Sequence, residues 1–131
     1  MKKLAVVMVF LAWFAAPASA DLDVGVAAYN RGDYATALRE LKPLAEKGIA
    51  PAQFNLGVMY NFGEGVPQDD KEAFRWYRLA AQQGNALAQV NLGFMYDTGR
   101  GVPQDDKEAL RWYRLAAEQL NALARFNLGV M

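Results

Sequence analysis

A period of 36 residues governs this chain. Asn55-Leu56-Gly57-Val58-Met59-Tyr60 returns as Asn91-Leu92-Gly93-Phe94-Met95-Tyr96, and again as Asn127-Leu128-Gly129-Val130-Met131. Between these blocks the run from Gly65 to Ala73 recurs unchanged from Gly101 to Ala109, and Arg75-Trp76-Tyr77-Arg78-Leu79-Ala80-Ala81 recurs from Arg111 to Ala117. A unit of this length buries its apolar face by stacking on its neighbours, so the period restricts the chain to a stacked-repeat architecture. Such stacks work through an extended surface rather than a buried catalytic pocket.

Each period reads as two antiparallel helices. Ala52, Leu56, Met59, Tyr60 and Phe62 supply helical spacing from about Ala50 to Asn61, with Pro51 in the first turn, where its missing donor costs nothing. Gly63-Glu64-Gly65-Val66-Pro67 breaks that helix. Asp69 is placed to cap the second helix, with Glu72 completing a capping box, and Ala73, Trp76, Tyr77, Leu79, Ala80 and Ala81 form its apolar face. The tryptophans belong to the core and the tyrosines to a partly exposed border. Gly84 suits a left-handed helix end. The expected fold is all-α, a solenoid superhelix of three helix pairs plus an unpaired final helix. Its units are 21–49, 50–85 and 86–121, with a partial unit at 122–131. The first unit lacks the glycine loop and turns instead at Gly32-Asp33-Tyr34. Leu120 stands where Gly84 stood, so Asn121 must take the positive backbone angle or the turn must reshape. The apolar Leu123, Phe126, Leu128 and Met131 have no partner helix after them, which reads as a truncated repeat array.

Residues 1–20 stand outside the period. Lys2 and Lys3, the uncharged run Leu4 to Ala16 and the small-residue site Ala18-Ser19-Ala20 have the pattern of a secretory signal peptide, cleaved before Asp21. The apolar run is shorter than the roughly 20 residues a membrane span needs. The expectation is a periplasmic or secreted bacterial protein with no membrane anchor after cleavage. Without Lys2 and Lys3, the 14 basic side chains fall to 12 against 14 acidic ones. That balance makes no electrostatic case for nucleic acid or an anionic membrane.

Export removes Ser19, and the rest of the chain has no serine, histidine or cysteine. The usual nucleophile–base pairs are therefore missing, as are metal sites built on imidazole or thiolate. No cofactor is expected. The pairs Asp69-Asp70 and Asp105-Asp106 raise the alternative of an envelope enzyme using carboxylates and tyrosines, on cell-wall material for example. Helix capping and the helix dipole explain the same residues. Glu72 and Glu108, three residues before Arg75 and Arg111, predict surface ion pairs.

The repeated positions resemble the Sel-one-like repeat family, a relative of the tetratricopeptide repeats. The pattern runs Ala52, Leu56-Gly57, Tyr60, Gly63-Glu64-Gly65-Val66, Asp69, Ala73, Trp76 and Ala80-Ala81. It runs again through Ala88, Leu92-Gly93, Tyr96, Gly99-Arg100-Gly101-Val102, Asp105, Ala109, Trp112 and Ala116-Ala117. The resemblance implies an all-helical adaptor with a protein or peptide partner and no catalysis. It also implies that the first helix of each unit lines the concave surface. Asn55, Asn91 and Asn127, with Gln53, Gln89 and Arg125, then form the candidate peptide-binding row. Each asparagine amide both donates and accepts, so a row of them matches an extended peptide backbone. The structural alternative is that these amides bond neighbouring turns of their own stack.

Overall fold

The computed structural model describes the backbone of residues 18–129 and the side-chain surroundings of residues 21–122. All regular structure among them is helical: α1 (Ala18–Asn30), α2 (Tyr34–Glu46), α3 (Ala50–Phe62), α4 (Asp70–Gln82), α5 (Ala86–Thr98) and α6 (Asp106–Gly129). Consecutive helices pack against each other, so α1 pairs with α2, α3 with α4 and α5 with α6, while α2–α3 and α4–α5 join the pairs. The expected leader lies outside the described residues, apart from Ala18–Ala20 in the first turn of α1.

Polar side chains and glycines set the helix ends. Asp69 accepts from the amides of Lys71 and Glu72 at 3.0 and 3.2 Å, and Asp105 does the same for Lys107 and Glu108 at 3.1 and 3.2 Å. The capping box is only half formed. The Asp69 amide donates to the Tyr60 carbonyl at 3.0 Å, and the Glu72 carboxylate takes the Arg75 guanidinium at 3.0 and 3.2 Å instead. Gly63 and Gly99 close α3 and α5 in the left-handed conformation, at φ 69° and 71°. Asn85 caps α5 by accepting from the Ala88 amide at 2.9 Å.

The core runs along the stack in two clusters. One joins Ala28, Ala37, Leu41 and Leu44 with Leu56, Met59 and Trp76. The other joins Ala73, Tyr77, Ala80 and Ala81 with Ala88, Leu92, Met95 and Trp112. The Leu-Gly pair of each first helix serves both sides of the unit. Leu56 and Leu92 are fully buried, while the glycine gives a seat to an aromatic ring. A Cβ on Gly57 would stand 2.6 Å from Cδ1 of Tyr77, and one on Gly93 2.8 Å from Cδ1 of Tyr113. Tyr77 is accordingly buried throughout, correcting the expectation of a partly exposed ring; Tyr113 stays half-buried.

The expected turn near residues 119–121, and with it the separate helix at 122–131, is replaced by continuous helix to Gly129. All positive φ angles among the described residues belong to glycine. Leucine meets a steric penalty of about 1–2 kcal/mol in that region, so with Leu120 in place of Gly84 the helix continues. The apolar positions Leu123, Phe126, Leu128 and Met131 lie outside the residues whose side chains are described.

Candidate interaction surface

The candidate residues do not share one environment. Gln53 and Gln89 are buried, each 4 % exposed, which removes them from an open groove. Gln53 Nε2 donates to the Ala45 carbonyl at 3.1 Å, and Gln89 Nε2 to that of Ala81 at 3.2 Å. Their oxygens accept from Gln83 at 2.8 Å and Gln119 at 2.9 Å. Each amide thus satisfies a carbonyl near the end of the preceding second helix and links it to a glutamine at the end of α4 or within α6. This is a lattice internal to the stack. Its sequence signal was available: Gln53 with Gln83 and Gln89 with Gln119 recur at one spacing.

Asn55 and Asn91 are half-exposed. Asn55 Nδ2 donates to the Pro51 carbonyl of its own helix at 3.0 Å. Asn91 lies beside the Tyr77 hydroxyl, as does Asn61, and both favour its ionised form. Burial outweighs them and pushes that hydroxyl up to about 12. Neither asparagine makes a well-formed hydrogen bond to it, and the Tyr77 hydroxyl has no partner. One repeat earlier the position of Tyr77 is held by Leu41, which offers no hydroxyl, so the two asparagines differ in surroundings despite equivalent positions. The side chains of Arg125 and Asn127 lie outside the described residues. The same two helices expose large apolar side chains at non-equivalent positions: Phe62 is 68 % exposed and Phe94 49 %.

The acidic pairs are occupied by the fold. Asp70 accepts from Gln68 at 2.6 Å and from Arg100 at 3.1 Å, and Asp106 accepts from Gln104. Asp33, the cap of α2, is lowered from its ordinary carboxylate value, first by hydrogen bonds from Thr36. Among the described residues no group of three or more acidic, histidine or cysteine side chains is placed to hold a metal ion. Arg75 and Arg111, besides pairing with Glu72 and Glu108, lie over the Trp76 and Trp112 rings at 4.3 and 4.4 Å.

Sequence reasoning missed the role of the glycine loops. Each loop clasps the unit before it. Glu64 accepts from the Tyr29 hydroxyl at 2.8 Å, and Arg100 pairs with Asp70 at 3.1 Å. The hydrogen bond and burial together raise the Tyr29 hydroxyl far above its ordinary value, burial most. A Cβ on Gly101, which has φ 73°, would meet the Asp70 carbonyl oxygen at 2.4 Å. The second loop glycine is therefore required by both backbone conformation and close approach.

Comparison with known proteins agrees with this architecture. The Sel1 repeat pattern matches residues 50–85 and 86–119, more than half of the chain. A protective antigen of uropathogenic Escherichia coli with an SLR fold superposes with a TM-score of 0.74 at 44 % identity, over 79 % of this chain and 23 % of that one. A Sel1 repeat protein from Oxalobacter formigenes gives 0.71 at 41 % identity, over 75 % of this chain and 40 % of that one. An exopolysaccharide production negative regulator from Rhizobium leguminosarum bv. viciae is 42 % identical over 53 residues, which are 40 % of this chain and 20 % of the regulator. The chain thus spans less than half the length of each of these relatives.

Proposed function

The chain belongs to the Sel1 repeat family, and on that premise we propose that it is an exported adaptor. It binds an extended segment of a partner protein along its first helices and performs no chemistry of its own. Repeats of this kind generally mediate protein–protein contacts. The observation that carries the reading is the pair Asn55 and Asn91. They occupy one position of α3 and α5 and remain half-exposed, and the same helices expose Phe62 and Phe94. Amides supply pairing for a peptide backbone, and the aromatic rings supply apolar area for its side chains. Asn127 repeats Asn91 in sequence and Arg125 repeats the buried Gln89, but both lie on the unbroken extension of α6. The buried Gln53 and Gln89 support the asparagine pair from below by holding successive units in register.

The test is the double variant Asn55→Ala, Asn91→Ala against a partner captured from envelope extract. Losing two backbone-pairing amides should weaken binding by roughly tenfold or more, with the thermal midpoint nearly unchanged. Unchanged affinity would overturn the site. A lowered midpoint would assign the amides to the stack.

Export rests on Lys2, Lys3, the apolar run and Ala18-Ser19-Ala20. No described helix is long and apolar enough to cross a membrane. Mass spectrometry of exported material should find an N-terminus at Asp21. An intact Met1 form in a soluble envelope fraction would contradict it.

A further inference from the structure

A second helix in the middle of this stack is covered twice: by the first helix of its own unit and by the first helix of the next. On α4 the second face carries Phe74 and Ala81, with Tyr77 at its border, where the ring also rests on Gly57 of α3, as Tyr113 rests on Gly93 of α5. There Tyr77 and Ala81 are buried with Ala88 and Leu92 of α5, and Phe74 meets Tyr96 edge-on with ring centroids 5.4 Å apart. On α6 the same positions are Leu110, Tyr113 and Ala117. Leu110 is 49 % exposed, Tyr113 is half-buried and Ala117 is open to solvent. Leu120, 52 % exposed, extends this apolar stripe by one further turn.

The repeat itself identifies what covers such a face. The sequence of α5, Asn85-Ala86-Leu87-Ala88 followed by Asn91-Leu92-Gly93, recurs as Asn121-Ala122-Leu123-Ala124 and Asn127-Leu128-Gly129. In the preceding unit the chain turns at Gly84, φ 96°, and α5 folds back onto α4. Here α6 runs unbroken to Gly129. Residues 122–129 therefore continue the same rod that carries Leu110 and Ala117, and a straight helix cannot cover its own face.

We infer that the occupant is a second copy of this chain. Residues 122–129 lie on the Leu110–Tyr113–Ala117 face of a partner molecule, whose own residues 122–129 return the contact. The exchange is reciprocal, so the assembly closes at two chains and does not propagate. The hinge is Glu118 to Asn121, and Leu120 is the residue that keeps it straight. The pairing of Tyr77 and Ala81 with Ala88 and Leu92 is made once within each chain by α4 and α5, and Tyr113, Ala117, Ala124 and Leu128 repeat those four residues in sequence.

The experiment is light scattering coupled to size exclusion, run on the purified chain and two single variants across the micromolar range. The unaltered chain is expected at twice the mass of one chain. Leu120→Gly restores the glycine of the preceding unit and should yield monomers, with the segment folded back on its own molecule. Ala117→Glu places a charge on a position that is exposed in the single chain, so it should also yield monomers, with an undiminished helical circular dichroism signal. Should Ala117→Glu lose that signal, Leu110→Glu carries the same reading. A monomeric unaltered chain would overturn the inference. So would a dimer that survives Leu120→Gly, or one that survives a folded Ala117→Glu or Leu110→Glu.

Discussion

Trp76 and Trp112, 4 % and 6 % exposed, hold equivalent places in successive units, each roofed by an arginine from the preceding position. Replacing either with alanine should lower the unfolding free energy by about 3–5 kcal/mol in a denaturant titration, as for other large core aromatics. Tyr77 presents a sharper case. Its ring is buried against Gly57, and its hydroxyl is buried without a partner. That hydroxyl is raised from 10.0 to about 12 in the folded chain, first by burial. The folded state thus holds the proton more tightly than the unfolded state. The linked stability is fully present below pH 10.0 and is lost as pH rises through about 12. Tyr77→Phe should therefore be nearly neutral at pH 7 and should show a smaller loss of stability than the unaltered chain between those two pH values. An identical alkaline profile for the two proteins would contradict the burial assigned to this hydroxyl. Gln53→Ala strands the Ala45 carbonyl and the Gln83 amide, and should cost roughly 1–3 kcal/mol.

Loops and helix ends add to the contacts that packed helices make between units. The loop after α5 clasps the start of α4 through two features of different strength. The Arg100–Asp70 pair is half-exposed, and surface pairs of that kind contribute about 0–1 kcal/mol. Gly101 combines φ 73° with an Asp70 carbonyl that would lie 2.4 Å from any Cβ. Arg100→Ala should accordingly shift stability by less than about 1 kcal/mol. Gly101→Ala should lose at least about 1–2 kcal/mol from backbone strain alone. Equal effects in thermal melts would mean that the loop approaches α4 through its charge and not through its backbone. Asp69 and Asp105 act at the same scale. They were legible as caps because an aspartate before an amphipathic run has one dominant local use. The rest of the capping box was not legible, since Tyr60, nine residues upstream of Asp69, took the backbone donor that Glu72 was expected to satisfy.

In the whole molecule each unit touches only its neighbours, and stability is accordingly a sum of unit and interface contributions. α3, α4 and α5 are packed by helices on both sides in sequence, while α1 is packed chiefly by α2 and touches the edge of α3. Amide hydrogen exchange should be slowest in α3, α4 and α5 and faster in α1. Uniform protection across all four helices would instead indicate one cooperative unit.

The repeat, the helix pairs, the glycine and aspartate boundaries and the burial of Trp76 and Trp112 were all legible along the chain. Each is a local or periodic property: a 36-residue self-match, a 3.6-residue spacing, a cap, a left-handed glycine. Tertiary structure decided which polar residues were left for a partner. Gln53 and Asn55 lie two positions apart on one helix and read alike in sequence. Only the packing of α2 and α4 around α3 puts one inside, bonded to Ala45 and Gln83, and leaves the other half-open. The same packing made Tyr77 buried and Tyr113 half-buried from identical neighbours: each ring rests on the glycine of its own first helix, and α5 adds a second cover to Tyr77 that no described helix adds to Tyr113. Periodicity specifies what a position can pack against; whether the next helix is there to cover it depends on the path the chain takes after Leu120.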